Sequence, residues 1–272
     1  MFHVKQISLQ KGSSMLYYEN YGTNLPIRSK VRMNGNDYIL VADCHLREGA
    51  AEDFFDMLAA IRQYEPAGVI FLGDIFELWI AFDGYESSIH KRFLDWCREA
   101  KDHFEVGFIL GNHEFYVIEP HGAAFTWITE QSHVTSGLLC MHGDLINRAD
   151  KWYMLLRKIL RSRLIRFLLR ITARTIGPAV SDRFRRSLKA TNRRFKRQLP
   201  MAVLENFARA AAPDQVRRIY AGHFHQHVVL DHPGAVPMEI LPSWEVGGEI
   251  VRLTPEGKSI CAPWRELLKT DR

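Results

Sequence analysis

The feature that most constrains this 272-residue chain is a regular alternation of short apolar runs with stretches of helical periodicity. Tyr38 to Ala42, Gly68 to Leu72 and Val106 to Leu110 read as buried strands, with helices predicted over Ala51 to Tyr64 and Ser87 to Lys101 between them. A βαβαβ order predicts a largely parallel inner sheet, because each crossover helix returns the chain to the same direction. Leu138 to Met141 and Arg218 to Ala221 continue the pattern as further strands. Val228 to Leu230, Met238 to Leu241 and Glu249 to Leu253 are expected to close it as antiparallel ones. Residues 1 to 36 are weakly patterned, with Gly12, Gly22, Pro26 and Gly35 as breakers, and are expected to form a leading arm or hairpin.

Each of five strands runs directly into a polar cluster. In chain order these are Asp43-Cys44-His45, Gly73-Asp74, Gly111-Asn112-His113-Glu114, His142-Gly143-Asp144 and Gly222-His223-Phe224-His225. Ligands of open α/β sheets bind outside the carboxyl ends of the strands, so the five clusters are predicted to converge in space. Their donors, Asp43, His45, Asp74, Asn112, His142, His223 and His225, are hard oxygens and borderline nitrogens with no thiolate. Such a set suits divalent ions of the manganese, iron or zinc type, and seven ligands are too many for one ion. A shared carboxylate would hold two ions roughly 3.5–4 Å apart, the separation used for in-line phosphoryl displacement. Cys44 lies between two donors, but in an extended segment its side chain points the other way, into the core.

Composition bounds the remaining possibilities. With 47% hydrophobic and 25% charged residues the chain is globular, which excludes disordered, collagen-like and simple-repeat classes. No run reaches the roughly 18 uncharged apolar residues of a spanning helix, and Met1 to Gln10 lacks the apolar core of a signal peptide, so a cytoplasmic location is expected. The four cysteines stand far apart, suggesting neither a disulfide framework nor a zinc finger. The net charge of +5 conceals a division: residues 145–220 hold 20 Lys plus Arg against 4 acids, and the rest 16 against 27. The acidic body could hold cations, while the basic segment would attract phosphate, nucleic acid or an anionic membrane.

That basic segment separates the fourth cluster from the fifth by about 75 residues, far more than a sheet connection requires. From Trp152 onward a helical apolar stripe includes Leu155, Leu156, Ile159, Leu160, Leu164, Phe167, Leu168 and Ile171. Arg157, Lys158, Arg161, Arg166 and Arg170 occupy the other face. A second basic helix is expected over Asp182 to Arg197. The segment reads either as a cap whose stripe packs on the body, or as a lid whose apolar face receives lipid while its arginines meet phosphates or anionic headgroups. Nucleic acid is disfavoured, since only Phe184 and Phe195 interleave with the basic residues to stack bases.

Taken together, the five blocks resemble the signature of the calcineurin-like metallophosphoesterases. Over roughly residues 38 to 253 the resemblance implies a four-layered α/β/β/α sandwich holding two divalent ions, with manganese favoured and iron or zinc the alternatives. It implies that Asp43, His45 and His225 bind the first ion, Asn112, His142 and His223 the second, and Asp74 both. A pair of ions acidifies a shared water, so no protein nucleophile is needed. His113 would then donate to the phosphate oxygens, and Glu114 and Asp144 would orient histidine N–H groups.

A narrower resemblance is to the UDP-2,3-diacylglucosamine diphosphatases of lipid A synthesis, carried by Gly73-Asp74-Ile75-Phe76-Glu77-Leu78-Trp79 and the basic insertion. It implies a core over 37–145 and 216–272 with an inserted lid over 146–215, and Asp150, Tyr153, Arg157 and Arg161 at the substrate. The substrate implied is a lipid-linked nucleotide, cleaved to UMP and a lipid sugar 1-phosphate at an anionic membrane surface that the basic lid contacts. Best-known members carry Arg where His113 stands, the Gly-Asn-His-Glu form being that of the broader superfamily. The alternatives are a phosphodiesterase or pyrophosphatase of the same fold acting on another lipid or a soluble nucleotide, and a non-catalytic membrane-surface module. The intact donor set argues against the last.

Overall fold

The structure is a computed structural model that describes residues 37–172, 199–211 and 216–269. The expected N-terminal arm and the basic helix over 182–197 lie outside the described residues. Two sheets form the body. The first has the order β13-β12-β1-β2-β4-β6 and contains β1 (Tyr38–Val41), β2 (Gly68–Phe71), β4 (Glu105–Ile109), β6 (Trp127–Thr129), β12 (Glu249–Leu253) and β13 (Ser259–Pro263). Its centre is parallel, as the βαβαβ reading predicts: Leu40 pairs with Ile70, and Ile70 with Gly107. The second sheet has the order β10-β11-β9-β8-β7, from β7 (Ser132–Thr135), β8 (Leu138–Met141), β9 (Arg218–Ala221), β10 (Val228–Leu230) and β11 (Met238–Ile240).

Alternation along the strands builds the layers. Ile39, Val41, Val69 and Phe71 face helices α1 (Glu52–Tyr64) and α2 (Ser88–Ala100), packing on Phe54, Leu58, Ile61 and Phe93. The intervening Tyr38, Leu40, Ile70 and Leu72 face the second sheet at Leu138, Cys140 and Tyr220. Burial on both faces explains why these strands read as continuous apolar runs. The second sheet's far face, with Leu139, Ile219 and Met238, is covered by Leu204 and Ala208 of α6 (Met201–Ala210). The layers are therefore α/β/β/α. Cys44 sits in the core as expected.

Three features differ from the sequence reading. β11 runs parallel to β9, with Ile219 paired to Met238, because β10 lies outside β11 and forms the antiparallel hairpin with it. β6, β7, β13 and the short parallel pair β3 (Trp79–Ile80) and β5 (Glu114–Phe115) carry no strand signal, being two residues long or half-buried edge strands without an apolar run. The segment 146–215 is also not uniform. After a short α3 (Ile118–His121), α4 (Lys151–Leu160) and α5, described over 163–172, have no fully buried residue, whereas α6 buries its apolar face on the second sheet and completes the sandwich. Among the described residues no helix is long and apolar enough to cross a membrane.

Candidate metal centre

All five polar clusters meet at one end of the two sheets. The loops leaving β1 and β2 stay paired past the strand ends, with Asp43 N–H donating to the Gly73 carbonyl at 3.1 Å and His45 N–H to that of Asp74 at 3.0 Å. To turn their side chains inward, Asp43, His45, Asp74, His223 and His225 adopt φ values between 45° and 72°. Left-handed backbone costs a residue with a Cβ about 1–3 kcal/mol and persists only where the surroundings over-determine it. Five such residues in one site mark the place where the fold holds strain. Glycine is required beside them: a Cβ on Gly111 would lie 2.1 Å from Asp74 Oδ1, and one on Gly222 2.7 Å from Asp43 Oδ2.

The side chains form three overlapping groups whose donor atoms lie within 4.8 Å of one another: Asp43, His45 and His225; His45, Asp74 and His113; and Asp74, His142 and His223. Asn112 joins the third group, its Oδ1 lying 3.1 Å from His142 Nε2. The residues fit a pair of cations on a specific observation. Asp43 Oδ1 and Asp74 Oδ2 are buried without a hydrogen-bond partner among the described residues. Each faces imidazole nitrogens at 3.5–3.6 Å, His225 Nε2 for Asp43 and the Nε2 atoms of His113 and His142 for Asp74. Buried carboxylate oxygens left in this way carry a desolvation cost that a bound cation would offset.

Hydrogen bonds on the outer side fix the orientation of two of the rings. His142 Nδ1 donates to the Leu72 carbonyl at 2.7 Å and His113 Nδ1 to the Glu77 carbonyl at 2.6 Å, leaving both Nε2 atoms directed inward. Without ions the buried charges act directly on one another. Burial and the neighbouring Asp74 and Glu114 carboxylates push Asp43 up to about 8. Against burial, the charges of His113 and His142 hold Asp74 well below the usual carboxylate range. His142 rises to about 10 despite burial because Asp74 and Asp43 face it, and burial together with His142 lowers His223 to about 4.

The remaining expected site residues are held by partners within the protein. Both oxygens of Glu114 accept backbone N–H groups, from Asp74, Ile75 and Gly111, so it braces two loops rather than orienting a histidine. Asp144 accepts the Tyr153 hydroxyl at 2.5 Å and Arg157 Nε at 3.0 Å, and the charges of His142, Arg157 and His223 act against its burial to hold its carboxyl below the usual carboxylate range. Asp150 caps α4 by accepting the Tyr153 N–H at 2.9 Å. Arg157 and Arg161 point inward, Arg157 also donating to the Glu130 carbonyl and Arg161 to those of Gly111 and Glu114. Arg166 pairs with Glu119. The outward face of the insertion is the apolar one: Trp152 is 82% and Leu164 66% exposed, with Leu155, Leu156, Ile159, Phe167, Leu168 and Ile171 also exposed. A helical wheel defines two faces but not which one meets the body, and here Asp144 and the carbonyls of Gly111, Glu114 and Glu130 draw Arg157 and Arg161 inward while Lys158 and Arg170 stay exposed.

Two supporting residues escape the sequence reading. Ser243 donates its hydroxyl to the Asp43 carbonyl at 2.8 Å, and its only signal is a polar residue just past an apolar run, Met238 to Leu241. Glu130, facing Arg161 at 3.3 Å, lies in a turn without any pattern that would single it out.

Comparison with known proteins agrees with this geometry. The family model described as calcineurin-like phosphoesterase matches residues 38–227. A UDP-2,3-diacylglucosamine hydrolase from Pseudomonas fluorescens (strain SBW25) is 27% identical over 236 residues, covering 82% of this chain and 94% of that protein. One of the same description from Ectopseudomonas mendocina (strain ymp) is 27% identical over 231 residues, covering 80% and 95%. Among solved structures, vacuolar protein sorting 29 from Cryptosporidium parvum aligns with a TM-score of 0.41 at 13% identity, over 84% of this chain and 96% of that one. With the family match spanning most of the sandwich and both carboxylates left open to cations, the chain belongs to the calcineurin-like phosphoesterases, a family that uses a dinuclear metal site, and is a metal-dependent hydrolase with candidate metal-ligand clusters at the strand ends.

Proposed function

We propose that this hydrolase cleaves the pyrophosphate bond of UDP-2,3-diacylglucosamine or a similar glycolipid nucleotide, giving UMP and a lipid sugar 1-phosphate. The observation that carries the reading is the inverted lid: Arg157 of α4 and Arg161 at the junction after it are fastened to the metal loops, while α4 and α5 leave an apolar stripe in solvent. A stripe of that size has no use for a soluble nucleotide, whereas acyl chains laid on it gain about 0.8 kcal/mol per CH₂ removed from water. The description shared by the Pseudomonas relatives supports the same substrate.

In this reading Asp43, His45 and His225 hold one ion, Asn112, His142 and His223 the other, and Asp74 both. Oxygen and imidazole donors without thiolate favour manganese, with iron or zinc as alternatives. When bound, the ions supply Lewis acidity and an acidified water, and the protein supplies the geometry. His113, fixed by its Nδ1–H bond to the Glu77 carbonyl, presents Nε2 at the centre and, as the imidazolium, donates to the phosphate oxygens or the leaving group. The enzyme works at the cytoplasmic face of the inner membrane, its apolar stripe and basic segment meeting the anionic surface.

The test is a substrate panel at one manganese concentration, comparing UDP-diacylglucosamine, UDP-N-acetylglucosamine and bis-p-nitrophenyl phosphate. The acylated compound is expected to have by far the highest kcat/KM. Equal efficiency on either soluble compound would overturn the lipid reading while leaving the hydrolase intact.

A further inference from the structure

α4 ends at Leu160, and the chain turns through Arg161 and Ser162 before α5 begins. This junction is clasped to the loop carrying Asn112 and His113 from both sides. Arg161 Nη2 donates to the Gly111 carbonyl at 2.8 Å and to the Glu114 carbonyl at 3.0 Å. In return, the Tyr116 hydroxyl donates to the Leu160 carbonyl at 2.6 Å. The Arg161 side chain is only 10% exposed and lies over the Phe115 ring, with Glu130 Oε1 3.3 Å from Nη1 as its counter-charge.

The two carbonyls are the ends of a four-residue segment whose middle pair is Asn112-His113. Gly111 O belongs to the peptide unit that leads into Asn112, so a donor fixed on it sets where the Asn112 side chain starts. The opposite side of the segment is braced by the Glu114 carboxylate, which takes the N–H groups of Gly111, Asp74 and Ile75. Arg161 is thus the lid's contribution to a scaffold that otherwise belongs to the sandwich. Of the buried guanidinium, Nη2 alone is hydrogen-bonded among the described residues, Nε and Nη1 having no such partner, so the two carbonyls together with the Phe115 ring and the Glu130 charge fix its position.

We propose that Arg161 is a positioning residue: from the lid, it sets the placement of Asn112 and His113, and so ties seating of the lid to second-ion affinity and to turnover. The proposal rests on the reading of Asn112 and His142 as second-ion donors, not on the identity of the substrate. A substrate-binding arginine would act on KM, and a simple lid fastener would behave like Arg166, which ties the insertion to Glu119 without touching the metal loop.

The experiment strips the full-length protein of metal and titrates it with Mn²⁺ by calorimetry, followed by kinetics on bis-p-nitrophenyl phosphate, which needs no acyl site. Wild type, Arg161→Gln, Arg161→Lys and Arg166→Gln are compared. Arg161→Gln is expected to weaken the second ion about 10–100-fold with the first unchanged, as loss of a group supporting a ligand does. Its kcat falls in parallel while KM stays within about twofold, and Arg161→Lys recovers part of both losses. Arg166→Gln keeps both ions and the small-diester activity. Wild-type ion binding in Arg161→Gln, a change confined to KM, or an equal effect in Arg166→Gln would overturn the proposal. If Arg161→Gln does not fold, Arg161→Lys and Glu130→Gln replace it, each expected to shift the second ion alone, and no shift in either overturns the proposal. A wild type that takes up one ion only defeats the underlying two-ion reading and is distinguishable from these outcomes.

Discussion

The His223 backbone N–H donates to Asp43 Oδ2 at 2.7 Å, across 180 residues of sequence and from one sheet to the other. One oxygen of Asp43 thereby orders the loop that presents His223 and His225, while the other is left facing His225. The same division occurs at Asp74, whose Oδ1 accepts the His113 N–H at 2.9 Å and whose Oδ2 faces His113 and His142. Each carboxylate uses one oxygen for architecture and directs the other at the cation site.

Asp74→Ala removes the oxygen common to two donor groups, so the purified variant is expected to carry neither ion, whereas Asn112→Ala keeps the first and loses mainly the second. Elemental analysis of metal-reconstituted protein decides this. Two ions retained in Asp74→Ala would refute the shared carboxylate.

The metal-free protein is expected to lose stability as pH rises from about 7 to 10. Asp43 and His142 have folded-state values raised to about 8 and about 10, so each contributes stability that is complete below its unfolded value and lost as pH passes its folded one. His223, depressed to about 4, contributes in the other direction and loses its share only as pH falls below neutral. Ions replace the protons of Asp43 and His142, so the rise in Tm on adding Mn²⁺ should widen from pH 7 to pH 9. Thermal melts with and without metal measure it, and a gap that narrows would contradict the coupling.

Glu114→Gln sets an amide NH₂ against backbone N–H groups that now donate to carboxylate oxygens. A buried donor facing a donor costs about 1–3 kcal/mol, and this should appear as a lower denaturation midpoint in urea. Because the brace joins the Asp74 and Asn112 loops, activity on the small diester should fall with it. Unchanged stability would show that the brace contributes little to the fold.

Leu156→Ser, Leu164→Ser and Phe167→Ser alter exposed positions and should each change stability by no more than about 0.5 kcal/mol. If acyl chains lie on this stripe, the same variants lower kcat/KM for the acylated substrate about tenfold or more while leaving bis-p-nitrophenyl phosphate hydrolysis intact. A destabilised protein with unaltered substrate preference would instead mean that the stripe packs on the body.

The strands β1, β2, β4 and β8 to β12, the first two helices and the polar clusters at the strand exits were legible in the sequence, because apolar periodicity and glycine-marked turns are local properties that each segment carries by itself. Tertiary structure decided what depends on partners distant in the chain. It ran β11 parallel to β9, moved α6 from the insertion to the sandwich and gave the Glu114 oxygens to backbone N–H groups. It also turned Arg157 and Arg161 toward the metal loops. No helical wheel contains that choice, since it is made by Asp144 and the carbonyls of Gly111, Glu114 and Glu130, which reach the insertion only once both sheets have formed.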